Sequence, residues 1–228
     1  MPAPEDAARA ALLLLTDGRL PAGGYAHSGG LEPTVLAGRV RDAAGLERFL
    51  VGRAETTGLV TAAFAAAACV RGSAGDAAGL DELDPELDAR TPSAEARAVS
   101  RTLGRQLLRA VGRLHPHRLY ALLGREPHQP VVMGVAAAAL GLGPRDAALA
   151  VLHEAVAGPA AAAAKVMPID PFDVHAALAR LTGRLDRLAA LAADSAHSPP
   201  AELPSAGAPL LDVAAEHHRT ERTRLFAS

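Results

Sequence analysis

The stretch Asp170-Pro-Phe-Asp-Val-His-Ala-Ala-Leu-Ala-Arg-Leu-Thr-Gly-Arg-Leu-Asp-Arg-Leu-Ala-Ala-Leu-Ala192 decides the fold class. Leu178, Leu181, Leu185, Leu188 and Ala192 recur three or four positions apart, which places them on one stripe of an α-helix. Asp170 supplies an N-cap, and Pro171 fits the first turn, where its missing N–H costs nothing. The same period returns elsewhere, and almost nowhere do apolar residues alternate with period two. The expectation is an all-α protein.

Working outward, a second helix is predicted over about residues 93–112, with Val99, Leu103, Leu107, Ala110 and Leu114 on one stripe and Arg97, Arg101, Arg105 and Arg109 beside it. A third is predicted over 42–70, where Leu46, Phe49, Leu50, Arg53, Thr57, Val60 and Phe64 share a face. Gly45, Gly52 and Gly58 each cost that helix about 1 kcal/mol relative to Ala, tolerable where another backbone packs closely. Further helices are expected at about 7–16, 30–36, 128–140 and 144–166, the last kinked or split at Gly158-Pro159. Residues 72–91, acidic and interrupted by Pro85, and the proline-rich residues 193–209 read as exposed, mobile connections. The whole is expected to be a single-domain helical bundle of about eight to ten helices spanning residues 1–228.

The chain has 228 residues, half of them apolar, yet only 3 % are aromatic and none is Trp. Its core must therefore be built mainly from Leu, Ala and Val, with helices closely packed. The net charge of −2 and the lack of a basic block argue against nucleic acid as a partner. Of 23 basic residues only Lys165 is a lysine, and arginine forks suit carboxylates at protein interfaces. Cys69 stands alone in an Ala-rich run and reads as a small core residue. A start bearing Glu5 and Asp6 rather than a basic segment does not indicate secretion. The apolar runs 59–70 and 131–143 fall short of the roughly 20 residues a bilayer crossing needs. A cytoplasmic protein with no membrane partner is expected.

Leu20-Pro-Ala-Gly-Gly-Tyr-Ala-His-Ser-Gly-Gly-Leu-Glu32 is the most informative segment for function. Gly23 and Gly24 allow backbone angles and close approaches closed to other residues, while Tyr25, His27, Ser28 and Glu32 offer hydrogen-bonding groups. The plain alternative is a flexible inter-helix turn. Ala26-His-Ser-Gly-Gly30 is a near miss to the Gly-x-Ser-x-Gly elbow that would make Ser28 a hydrolase nucleophile. That elbow needs a preceding strand, which Pro21 to Gly24 cannot form.

Nine histidines invite a metal hypothesis, with His115-Pro-His117 and His217-His218 as the closest pairs. Neither pair has the i, i+4 spacing of ligands on one helical face, and no Cys pair completes a set. The alternative of a nickel-binding metallochaperone in its own right rests on these residues. No phosphate-binding Gly-Lys-Ser/Thr loop occurs, so nucleotide hydrolysis is not expected. The last stretch, residues 217–228, carries Leu225 and Phe226 close to the chain's end. Ordering it costs about 1 to 2 kcal/mol per residue, against about 1.5 to 3 kcal/mol for each buried apolar side chain. Arg219, Arg222 and Arg224 would then need carboxylates or carbonyls, on the body or on a partner. A disordered tail is the plain alternative.

These two segments resemble the urease accessory protein UreF family: the first is similar to its Leu-Pro-x-Gly-Gly-(Phe/Tyr)-x-x-Ser-x-Gly-Leu-Glu pattern, and Arg224-Leu-Phe-Ala-Ser228 to its Arg-Leu-Phe-x-Ser ending. Residues 95–108 are similar to the family's middle helix, and 128–168 follow its later helices in order. Departures fall at the residue after His218, at Arg222, at Ala227 and at Val166 to Asp170. The resemblance implies a non-catalytic, all-α, homodimeric scaffold that assembles with a nickel-carrying G-type GTPase and a D/H-type accessory protein. That complex delivers nickel to apo-urease. No cofactor is then expected to be bound tightly by the chain itself, nickel being handled by the complex. Gly23, Gly24, Tyr25, Ser28, Glu32, His218, Arg222, Arg224, Leu225 and Phe226 become the expected partner-binding residues.

Overall fold

The computed structural model describes residues 5–218 together with 225 and 226, and of residues 5–9 the backbone alone. Among the described residues there are helices and turns and no strand. The helices are α1 (Glu5–Leu15), α2 (Leu31–Leu36), α3 (Ala43–Arg53), α4 (Leu59–Ala74), α5 (Ala77–Ala89), α6 (Ala94–Leu114), α7 (Gln129–Ala139), α8 (Pro144–Val166), α9 (Pro171–Asp194) and α10 (Pro209–His218). A π-helical turn, Ala54–Gly58, joins α3 to α4. The stripe that signalled α9 is buried at Leu181, Leu185, Leu188 and Ala192, and Asp170 accepts the Phe172 N–H at 2.8 Å.

α4 is the central rod, packed against α7, α8 and α9. Its residues 62–69 are at most 1 % exposed, and all but Phe64 and Cys69 are alanine. Small side chains let backbones touch: a Cβ on Gly134 of α7 would meet the Ala65 carbonyl oxygen at 2.2 Å. Dispersion contacts between close backbones thus replace the large side chains this sequence lacks. Burial pushes the Cys69 thiol up to about 12, consistent with an inert core residue.

Three sequence expectations are corrected. Residues 72–91 are mostly helical: Gly75 ends α4 at φ 72°, and Asp76 caps α5 by accepting the Gly79 N–H at 2.9 Å. Leu80, Leu83 and Leu87 anchor α5 in a second apolar cluster with Val60, Phe64 and Val131. A proline inside a helix costs about 3 kcal/mol, which burial of three leucines at about 1.5 to 3 kcal/mol each more than offsets. Of the kink or split expected at Gly158-Pro159, the split does not occur: α8 runs through it. Pro159 has no N–H for the Ala155 carbonyl four residues back, and Arg53 Nε donates to that oxygen instead at 2.9 Å.

The third correction concerns residues 193–209. Their first two residues finish α9, and most of the rest is exposed as expected, but residues 196–204 are held by hydrogen bonds from two arginines. Arg90 donates to the carbonyls of Pro200, Ala201, Leu203 and Pro204, and Arg71 to those of Ala196 and Ser198. Ala43–Ala74 and Pro144–Val166 are long and apolar enough to cross a bilayer by composition. Their most apolar windows are 61 % and 56 % buried within the protein, so the core accounts for their apolarity.

Candidate functional site

The glycine-rich segment turns where its glycines demand it. Gly23, Gly29 and Gly30 have φ of 84°, 60° and 86°, in the left-handed region that side chains rarely adopt. Gly23 lies on α6, where a Cβ would stand 1.7 Å from Gln106 Oε1, and Gly30 lies against Leu211 of α10. Out of this turn α2 begins, with the Ser28 hydroxyl oxygen accepting the Glu32 N–H at 3.2 Å.

Glu32, in the first turn of α2, points inward and is 4 % exposed. Its two carboxylate oxygens accept consecutive backbone N–H groups from the other end of the chain: Leu225 at 2.8 Å and Phe226 at 3.0 Å. His218 Nε2, also buried, lies 3.3 Å from both Glu32 Oε2 and the Phe226 carbonyl oxygen. The Phe226 ring is buried, with Lys165 Nζ 5.3 Å from its centroid. Helix α10 is tied down by Glu216, whose carboxylate accepts the Ser93 hydroxyl at 2.7 Å and the Glu95 N–H at 3.0 Å, at the start of α6. Asp212, one turn earlier, has its carboxyl raised by burial, opposed by the hydrogen bond to the Ser93 backbone.

The two segments singled out by sequence thus form one site. Ser28, Glu32, His218 and Phe226, expected to touch a partner, are turned inward and hold the chain's own end. Tyr25 and Leu225 face outward, 73 % and 72 % exposed. Gly23 and Gly24 shape the turn, and Arg222 and Arg224 lie outside the described residues. Ser93, the predicted start of α6, caps that helix by accepting the Ala96 N–H; sequence reasoning missed its partner Glu216, because a pairing across 123 positions leaves no local signal. Lys165 stood out only as the sole lysine.

Two chemistries can be weighed. Ser28 is fully buried, follows no strand, and spends its oxygen on the Glu32 N–H, so a nucleophilic elbow is not formed. Away from the site, donor atoms of Asp84, Asp88 and His128 lie within 4.8 Å of one another. Arg101 Nη2 already bridges the two aspartates at 2.8 and 2.7 Å, and the His128 ring spans Ser100 and Asp88. This is a structural knot joining α5, α6 and the start of α7. Burial, then Arg101, lowers the His128 pKa, opposed by Asp88 and Asp84.

A family model described as UreF matches residues 40–182. The urease accessory protein UreF of Mycolicibacterium vanbaalenii is 45 % identical over 219 residues, covering 96 % of this chain and 98 % of that protein. That of Mycobacterium sp. (strain JLS) is 43 % identical over 217 residues, 95 % and 97 % of the two chains. That of Mycobacterium tuberculosis (strain H37Rv) is 40 % identical over 219 residues, 96 % and 98 %.

Proposed function

Because this chain belongs to the UreF family of urease accessory proteins, we propose that it is a scaffold for nickel insertion into apo-urease. It recruits a nickel-carrying G-type GTPase and a D/H-type accessory protein, as a homodimer in the cytoplasm. The family is an accessory one, and the chain is not an enzyme. Nickel is the cargo of the assembly, and the GTPase supplies the nucleotide chemistry.

The observation that carries this reading is the pairing of Glu32 with the Leu225 and Phe226 N–H groups, which brings the glycine-rich turn and the tail to one place. There Tyr25 and Leu225 face outward beside the buried Ser28, Glu32, His218 and Phe226. Aromatic and apolar anchors on a fixed surface are what a protein partner can use, with losses of about 2 kcal/mol or more on truncation.

The test is calorimetry of the full chain, and of a chain lacking residues 222–228, against the D/H-type protein and the GTPase. At least tenfold weaker binding of the shortened chain is expected. Equal affinities, or no binding by the intact chain to either protein, would refute the scaffold reading.

A further inference from the structure

Arg53 stands where α3 passes into the π-helical turn, and its guanidinium lies directly under the glycine-rich segment. A Cβ on Gly29 would stand 3.1 Å from Arg53 Cζ and 3.2 Å from Nη2, and 3.0 Å from Pro159 Cγ. Nε is engaged, donating to the Ala155 carbonyl that Pro159 leaves without its helical partner. The two Nη groups have no acceptor among the described residues. Arg71, Arg90 and Arg101, also turned into the body, differ: each spreads its donors over two or more oxygens.

The guanidinium is half-buried, and its Nη fork meets water rather than a protein acceptor among the described residues. Burial alone pushes its pKa down to about 10, the direction expected of a cation with no counter-charge. Desolvating a charge without an anion is unfavourable, whereas a planar fork pairs with the two oxygens of a carboxylate through parallel N–H···O bonds. The fork lies beside a turn whose Tyr25, four residues before Gly29, is 73 % exposed.

We propose that Arg53 is a docking point for an aspartate or glutamate side chain of a protein partner, seated beside the Gly29–Gly30 turn. This rests on the scaffold reading above and names one contact within it. It assigns Arg53 two roles on different nitrogens: Nε completes α8, and the Nη pair receives the incoming carboxylate.

Separating the two roles needs a variant in which the helix no longer depends on Arg53. Pro159→Ala restores an N–H to the Ala155 carbonyl, so Arg53→Gln in that background removes the charge without orphaning the backbone. Affinities for the D/H-type protein and the GTPase would be measured by calorimetry for the wild type, Pro159→Ala, Arg53→Gln/Pro159→Ala and the chain lacking residues 222–228. Expected are wild-type affinity for Pro159→Ala, and at least tenfold weaker binding to one partner for the double variant, with unchanged helix content and a shallower salt dependence. Wild-type affinity of the double variant for both partners overturns the proposal. If the shortened chain is weakened at the same time, the scaffold reading survives that failure. A loss of binding accompanied by reduced helix content assigns Arg53 to packing alone and overturns it too. Faster amide exchange at residues 225 and 226 in the isolated double variant would make the chain's own end the occupant, and would overturn it equally.

Discussion

Gly134 of α7 faces Ala65 of α4 so closely that the two helices touch through main chain: a Cβ there would lie 2.2 Å from the Ala65 carbonyl oxygen and 2.8 Å from the Cys69 nitrogen. Neither neighbour is a flexible side chain that could move aside. Gly134→Ala is therefore expected to cost at least about 3 kcal/mol, the upper end of overpacking effects. For a chain of this size that lowers Tm by roughly 6 to 12 °C. A thermal shift below about 2 °C would show that the helices separate cheaply.

Gly52 is the opposite case. It lies inside α3, with nothing within 4 Å of the Cβ position and no positive φ. The expectation that another backbone packs closely on the glycines of residues 42–70 is not met at Gly52, and at Gly58 the neighbours are the Leu152 and Ala155 side chains and the Arg53 carbonyl oxygen of its own turn. Gly52→Ala should raise stability by about 0.5 to 1 kcal/mol, through helix propensity and a less flexible unfolded chain. Chemical denaturation would detect it as a higher midpoint at unchanged slope; a lower midpoint would reveal a packing role unseen in the single chain.

Arg90 orders the connection after α9. Its guanidinium reaches the carbonyls of residues 200, 201, 203 and 204, pairs with Glu86, and covers the Phe64 ring at 5.4 Å. Arg90→Lys keeps the charge and loses the fork. Hydrogen bonds to charged groups contribute about 1.5 to 3 kcal/mol each, so losing even one should speed amide exchange at Ala201, Glu202 and Leu203 at least tenfold. Unchanged exchange there would mean that the prolines alone set the loop.

How far the sequence reveals these features depends on the range of the interaction. The helix α9 is legible because its cap, its proline and its leucine stripe lie within 23 consecutive residues. α5 is not, because Asp81, Glu82, Asp84, Pro85, Glu86 and Asp88 mask Leu80, Leu83 and Leu87, whose spacing is the available signal. Pro159 reads as a break because its rescue comes from Arg53, 102 positions before the carbonyl it satisfies. At the site, the residue types of the turn and the tail are visible. That Glu32 faces inward to the tail is not, since a carboxylate reading backbone N–H groups imposes no side-chain pattern on its target.

Glu154 of α8 gives the fold a pH dependence. It accepts a hydrogen bond from Gln129 Nε2 at 2.7 Å, yet burial pushes its carboxyl up to about 7, from an ordinary value of 4.5. The folded state then holds a proton that the unfolded state releases. The resulting stability is fully present below pH 4.5 and is lost as pH rises through about 7. The slope is at most about 1.4 kcal/mol per pH unit, and less because Glu154 is partly exposed. Glu154→Gln, permanently neutral, should gain Tm over the wild type as pH rises from 5 to 8. A Tm difference independent of pH would place the carboxyl in a solvated setting.

The order of the chain's end depends on Glu32 rather than on apolar burial. Fixing residues 225 and 226 costs about 2 to 4 kcal/mol in backbone entropy, and burying the Phe226 ring returns about 1.5 to 3 kcal/mol, which leaves the balance near zero. Two hydrogen bonds to an ionised carboxylate, at about 1.5 to 3 kcal/mol each, decide it. Glu32→Gln is nearly isosteric, but its amide offers one acceptor oxygen and turns an NH₂ group toward the second backbone N–H. Exchange at the Leu225 and Phe226 amides should rise at least tenfold while global Tm moves by only a few degrees, because α2 retains Leu31 and Pro33 in the core. If the two amides stay as protected as in the wild type, the Phe226 pocket and Lys165 suffice to hold the tail. The carboxylate would then be a passenger.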